Sequence, residues 1–143
     1  MTDLTGGCLC GAIRYRIRAP ITELRACHCL DCQKASGTGY SVNAALPASA
    51  FTITQGTPKR FEAKAASGRI LYRFFCADCG SPIYSQRQTT PETVVVRIGT
   101  LDEPPAEARI TTHIWTRRAR PWSHIEPGTV QHPGQPDAPA TAR

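Results

Sequence analysis

Apolar and polar side chains alternate strictly over residues 12–19 (AIRYRIRA), with Ile13, Tyr15 and Ile17 on one side of an extended chain and Arg14, Arg16 and Arg18 on the other. A period of two marks a strand with one buried face. Similar short runs recur at 39–46, 51–54, 59–65, 69–76, 82–86, 93–99 and 112–116, separated by turn formers such as QGTP and ASG. No segment keeps a helical period over eleven or more residues. The sequence DCQKA after Leu30 allows one helical turn, with Asp31 as its cap. The pattern predicts an all-β chain of antiparallel sheets.

At 143 residues the chain fits one domain, long enough to bury a core without crosslinks. After Glu126 its character changes. The last stretch, EPGTVQHPGQPDAPATAR, carries four of the twelve prolines and one apolar branched residue, Val130. Residues 1–126 are therefore expected to form the domain, and 127–143 a loosely attached, Pro-rich tail. MTDLTGG has neither the basic start nor the apolar run of a signal peptide, and no stretch has the roughly 20 apolar residues of a membrane span. The expected location is the cytoplasm, with no membrane partner.

The formal net charge is +6, which permits an anionic partner. The arginines are nevertheless spread from Arg14 to Arg120, with TRRAR at 116–120 as their densest group. No basic run is interleaved with aromatics, so the footprint of a nucleic-acid surface is missing.

Seven cysteines in a reducing compartment point to metal or thiol chemistry rather than a disulfide framework, and an odd number cannot all pair within one chain. Cys76-x-x-Cys79 followed by Gly80 is a zinc-knuckle pattern, in which the glycine tolerates left-handed backbone after the second ligand. Cys8 and Cys10 complement it, because residues two apart on an extended segment project from the same face while Leu9 points away. Together these four make a closed set for a structural ion.

Cys27, Cys29 and Cys32 remain, three thiolates without a fourth cysteine. Three protein ligands with an open position are the pattern of catalytic zinc. His28 lies between the first two and faces the opposite side if they face the ion, so the spacing argues against it as a ligand. Three alternatives stay open at this level. His113, His124 or His132 could close the trio as a structural Cys₃His site; the chain could be a non-catalytic two-zinc module that binds protein or nucleic acid; or the trio could be a metal-free redox thiol centre with a low-pKa cysteine. SGTGY after the trio reads as a turn, Asp31 and Lys34 receive no role, and Trp115 and Trp122 read as core or rim packing.

Taken in order, GGCLCGAIRY, CHCLDCQKASGTGY and FCADCGSPIY resemble the glutathione-dependent formaldehyde-activating enzyme family, which also includes centromere protein V. The resemblance runs over roughly residues 6–125 and includes all seven family cysteines. It implies a β-tent fold of antiparallel sheets and two zinc ions per chain. One would be a structural ion on Cys8, Cys10, Cys76 and Cys79, the other a catalytic ion on Cys27, Cys29 and Cys32. It further implies a carbon-sulfur lyase acting on a thiol/aldehyde adduct such as S-hydroxymethylglutathione, with a small-molecule thiol, glutathione among the candidates, as partner.

Overall fold

The computed structural model describes residues 3–65 and 68–136. In chain order these residues form β1 (Leu4–Gly7), β2 (Arg14–Ile17), β3 (Glu23–Cys27), α1 (Leu30–Ser36), β4 (Ser41–Pro47), β5 (Phe51–Gln55) and β6 (Lys59–Lys64). There follow β7 (Ile70–Phe75), β8 (Pro82–Arg87), β9 (Thr93–Arg97), β10 (Arg109–Ile114) and β11 (Val130–His132). Each run with a period of two carries a strand, as the alternation predicts. The strands gather into a small sheet, β1-β2-β5, and a long one, β11-β10-β3-β4-β9-β8-β7-β6.

The core lies where the inner face of the small sheet meets the long one. Ile13, Tyr15 and Ile17 enter it from β2 and its approach, against Ala44 and Leu46 of β4, Ile83 of β8, and Val94 and Val96 of β9. Burying each large aliphatic side chain contributes about 1.5–3 kcal/mol. The polar side of β2 stays outward, where Arg14 pairs with Asp102, and Arg16 and Arg18 approach Asp3. Tyr15 keeps its hydroxyl satisfied against Thr100 Oγ1 at 2.8 Å, and burial pushes its pKa up to about 12.

Three elements differ from the pattern-based expectation. Most pairings are antiparallel, but β10 runs parallel to both β3 and β11. The helix is capped by Cys29, not Asp31: Cys29 has extended backbone (φ −61°, ψ 154°) and its sulfur accepts from Cys32 N–H at 3.2 Å. Asp31 instead occupies the first turn, where a carboxylate suits the helix dipole. Beyond Glu126 the chain does not simply trail away. Val130–His132 add a strand to β10, Thr116 Oγ1 donates to the His132 carbonyl at 3.2 Å, and Trp115 Nε1 donates to Gln135 Oε1 at 3.1 Å. The rest of the expected tail, from residue 137, lies outside the described residues. Among the described residues no helix is long and apolar enough to cross a membrane.

Candidate metal centres and the adjoining cavity

Cys8 and Cys10 follow β1, and Cys76 and Cys79 follow β7. Local main-chain bonds shape each turn. Cys8 N–H donates to the Ile13 carbonyl at 3.1 Å, and Ile13 N–H returns a bond to Cys8 Sγ at 3.2 Å. Cys76 N–H donates to the Ser81 carbonyl at 3.0 Å, and Gly80 N–H to the Cys76 carbonyl at 2.9 Å. Gly80 has φ +78°, the left-handed backbone expected after the second knuckle cysteine. Ser81 links the two turns, since its hydroxyl accepts from Leu9 N–H at 3.0 Å and lies 3.3 Å from Cys79 Sγ.

The four sulfurs lie within 4.8 Å of one another, with Cys8–Cys10 at 3.6 Å and Cys10–Cys76 at 3.8 Å. Those separations match the edge of a sulfur tetrahedron with metal-sulfur bonds of about 2.3 Å. Leu9 points outward at 88% exposure, but Cys8–Gly11 is a turn closed by Gly11 N–H to the Cys8 carbonyl at 3.2 Å, not the extended segment expected from the two-residue spacing. Donation from the Ser81 hydroxyl and from nearby main-chain N–H groups lowers Cys79 to about 5, so it offers a thiolate readily. The donor set and its spacing fit a tetrahedral metal ion.

The second group is Cys27, Cys29 and Cys32, again within 4.8 Å of one another. Cys27 ends β3 between β4 and β10, paired with Ser41 and Ile114; Cys29 caps α1; Cys32 lies in its first turn. Ile114 and Trp115 close the apolar side of the trio. No histidine or carboxylate of the described residues joins this group. His28 is fully buried away from it, with Nε2 2.9 Å from His113 Nδ1 and its ring 4.8 Å from that of Tyr40. His124 is exposed beside Glu126, and His132 lies in β11. None of His113, His124 and His132 therefore joins the trio as a fourth ligand among the described residues.

Charge within the trio is unequal. The thiols of Cys27 and Cys29, both donating to it, hold Cys32 far below the ordinary thiol range; the Ser41 hydroxyl and the Arg73 charge assist, while burial opposes. Contact with Cys29 and Cys32, then burial, pushes Cys27 far above that range. Of the three, the Cys32 thiol is the one its surroundings favour as thiolate, and metal binding displaces thiol protons from the group.

Around the sulfurs stand side chains that no local motif announces. Arg97 Nη1 donates to Asn43 Oδ1 at 2.6 Å, and Asn43 Nδ2 donates to Ser41 Oγ at 2.9 Å, which leaves the Ser41 proton for Cys32. Arg73 Nη2 lies 4.0 Å from Cys32 Sγ. Gln33 braces the segment from the other side: its Nε2 reaches the His28 carbonyl at 2.7 Å and the Arg118 carbonyl at 3.0 Å, and its Oε1 accepts from Arg120 Nε at 2.6 Å.

Arg73 and Arg97 also line a cavity of about 530 Å³ between α1 and strands β6–β9. Lys34 and Lys64 add positive charge, with Asp31 as the acidic member of the lining. The apolar wall includes Phe61 and the stacked rings of Phe74 and Tyr84, whose centroids are 4.3 Å apart with planes 3° from parallel. Another cavity, of about 300 Å³ against β3, β4 and β10, has no aromatic side chain in its lining; no cysteine lines either cavity, and the first is tied to the trio through Arg73. The chemistry therefore concentrates at the first cavity, where a basic, aromatic-walled space adjoins a sulfur trio. Its sequence signal was weak, because Arg73 and Arg97 read as ordinary polar positions of alternating strands.

Comparison with known proteins agrees with the sequence motifs. A family model described as "Glutathione-dependent formaldehyde-activating enzyme" matches residues 3–118. A Halomonas elongata protein named "Putative glutathione-dependent formaldehyde-activating enzyme" is 26% identical over 130 residues, covering 86% of this chain and 81% of that protein. An "uncharacterized lyase" of Schizosaccharomyces pombe is 32% identical over 88 residues, covering 59% of this chain and 58% of that one. In three dimensions the chain is similar to a crystal structure of a Rhodobacter sphaeroides protein, with TM-score 0.58, 18% identity and coverage of 90% of this chain and 98% of the other. At that identity the likeness shows the fold alone.

Proposed function

The chain belongs to the glutathione-dependent formaldehyde-activating enzyme family, and from that membership and the three-sulfur site we propose that it is a zinc-dependent carbon-sulfur lyase. Its substrate is a thiol/aldehyde adduct of the S-hydroxymethylglutathione kind or a related small thiol compound. Cys8, Cys10, Cys76 and Cys79 hold a structural zinc, and Cys27, Cys29 and Cys32 hold the catalytic one. A reducing compartment such as the cytoplasm suits seven cysteines kept as thiols.

One observation carries this reading: three cysteine sulfurs gather within 4.8 Å of one another beside a basic cavity of about 530 Å³, where a tetrahedral ion takes four ligands. Zinc bound there supplies a Lewis acid with a place for one more soft ligand, which favours a substrate sulfur as thiolate near neutral pH. The chain's own side chains do the rest. Arg73 and Arg97 offset the negative charge of three cysteinates, so an incoming anionic thiol meets less repulsion. Lys34 and Lys64 suit the carboxylates of such a substrate, while Phe61, Phe74 and Tyr84 exclude water from its apolar part. Ile114 and Trp115 shield the far side of the trio.

The reaction makes or breaks one C–S bond. On cleavage the bonding pair stays with sulfur, the hydroxyl oxygen's electrons form the carbonyl, and the hydroxyl proton passes to water; addition is the reverse. The test is Cys32→Ala. It should abolish turnover of a thiol and aldehyde pair while the protein stays folded with one zinc per chain, and a fully active Cys32→Ala protein excludes the trio as the catalytic centre.

A further inference from the structure

The guanidinium of Arg73 is only partly accounted for by its neighbours. Its Nη2 stands 4.0 Å from Cys32 Sγ, but its Nη1 is closed to solvent and has no hydrogen-bond partner among the described residues. A buried donor left unpaired costs about 1–3 kcal/mol, and more when charged. Arg97, the other guanidinium beside the trio, already gives an N–H to Asn43 at 2.6 Å. Arg73 therefore holds a charged donor in reserve, next to the sulfur trio and in the wall of the cavity a substrate would enter.

What arrives there with an acceptor follows from the reaction class. In a thiohemiacetal a single carbon separates sulfur from oxygen. A substrate sulfur held beside Cys32 consequently brings the adduct oxygen to the neighbourhood of the Arg73 head group. Lys34 and Lys64 come from α1 and β6, the elements that carry no cysteine-contacting guanidinium, and they suit charges on the remote part of the substrate.

Building on the lyase reading above, we propose that Arg73 is a catalytic residue whose guanidinium donates to the oxygen of the adduct and stabilises the charge this oxygen carries as the C–S bond breaks or forms. During cleavage the O–H proton goes to water, the oxygen lone pair becomes the carbonyl π bond, and the C–S pair leaves as the thiolate. During addition the thiolate pair forms the C–S bond, the π pair returns to oxygen, and water supplies the proton. Arg73 contributes hydrogen bonds and charge throughout and transfers no proton, because a guanidinium does not deprotonate in a protein.

The experiment compares wild type, Arg73→Gln and Arg73→Lys in two assays, with zinc content and circular dichroism as controls. The first is the rate of exchange between glutathione, formaldehyde and their adduct, followed by NMR. The second is calorimetric binding of S-methylglutathione, which has the sulfur and the carbon but lacks the oxygen. Arg73→Gln is expected to lower kcat about 100-fold or more, the scale for loss of one oxyanion donor. It should keep two zinc ions per chain and bind S-methylglutathione within about twofold of wild type, as expected of a contact made only to the reacting oxygen. Arg73→Lys should recover part of kcat, since lysine restores the charge without the fork. Full activity of folded Arg73→Gln overturns the proposal. So does a large loss of S-methylglutathione affinity, which would assign Arg73 to a substrate carboxylate, or loss of the second zinc, which would assign it to the metal site. A zinc-loaded wild type that accelerates exchange of neither glutathione nor other small thiols, cysteine and 2-mercaptoethanol included, overturns the lyase reading itself and the role of Arg73 with it.

Discussion

His28 and His113, 85 positions apart, share a 2.9 Å bond between Nε2 and Nδ1 in a place closed to solvent. The contact joins the segment between Cys27 and Cys29 to β10, and His28 N–H adds a bond to the Ile114 carbonyl at 3.0 Å. His28 thus serves the trio from behind, by holding two of its cysteines in an extended strand end.

Burial lowers the pKa of His113, and the charge of His124 lowers it further. The folded chain therefore takes up a proton on His113 only below the ordinary histidine value, whereas the unfolded chain takes it up near about 6.5. Between those values the unfolded state binds more protons, so this contribution to stability is present above about pH 6.5 and is lost as pH falls. His113→Gln should accordingly show a smaller drop in melting temperature than wild type between about pH 7 and about pH 5. Equal slopes for the two proteins would mean that His113 is not buried neutral.

Gly6 tests the join between the small sheet and the rest. A β-carbon built there would fall 2.4 Å from the ring and hydroxyl of Tyr15 and 2.5 Å from the Thr100 carbonyl. Backbone and a fully buried ring cannot both move aside cheaply. Gly6→Ala should destabilise by about 1–3 kcal/mol, the usual cost of overpacking, read as a lower denaturant midpoint with an unchanged slope. A midpoint equal to wild type would show that β1 is not held against Tyr15 as described.

Gln33 is a single side chain serving three partners, the carbonyls of His28 and Arg118 and the guanidinium of Arg120. Gln33→Ala would leave the buried His28 carbonyl short of its partner, at a cost of about 1–3 kcal/mol. It should also release residues 118–120 from α1, seen as faster amide exchange there than in β8. Unchanged exchange in that segment would show that Arg120 and Arg118 are held by something else.

Both cysteine groups were legible because their geometry is local: a C-x-C at a strand end and a C-x-x-C turn fix where sulfurs point within a few residues. His28, which the same reasoning sets on the opposite side, turns its Nε2 to His113. The cavity was not legible, since Arg73 lies 41 positions from Cys32 and reaches it only through sheet register. Strand β1 was hidden by its two glycines, and β3 by a sequence, ELRAC, that runs into the cysteine motif. Proline content after Glu126 suggested a loose tail, but three residues suffice for a parallel pairing with β10, and composition carries no information about that partner.

Zinc K-edge X-ray absorption, together with the zinc content per chain, tests the two-site assignment most directly. Two ions sharing seven cysteines should average about three and a half sulfurs each, with the balance from oxygen and no imidazole scattering. Adding glutathione should raise the average to about four sulfurs as its thiol takes the remaining place. A single zinc per chain, or imidazole scattering from a histidine completing the Cys27, Cys29 and Cys32 group, would contradict the assignment of an open catalytic site.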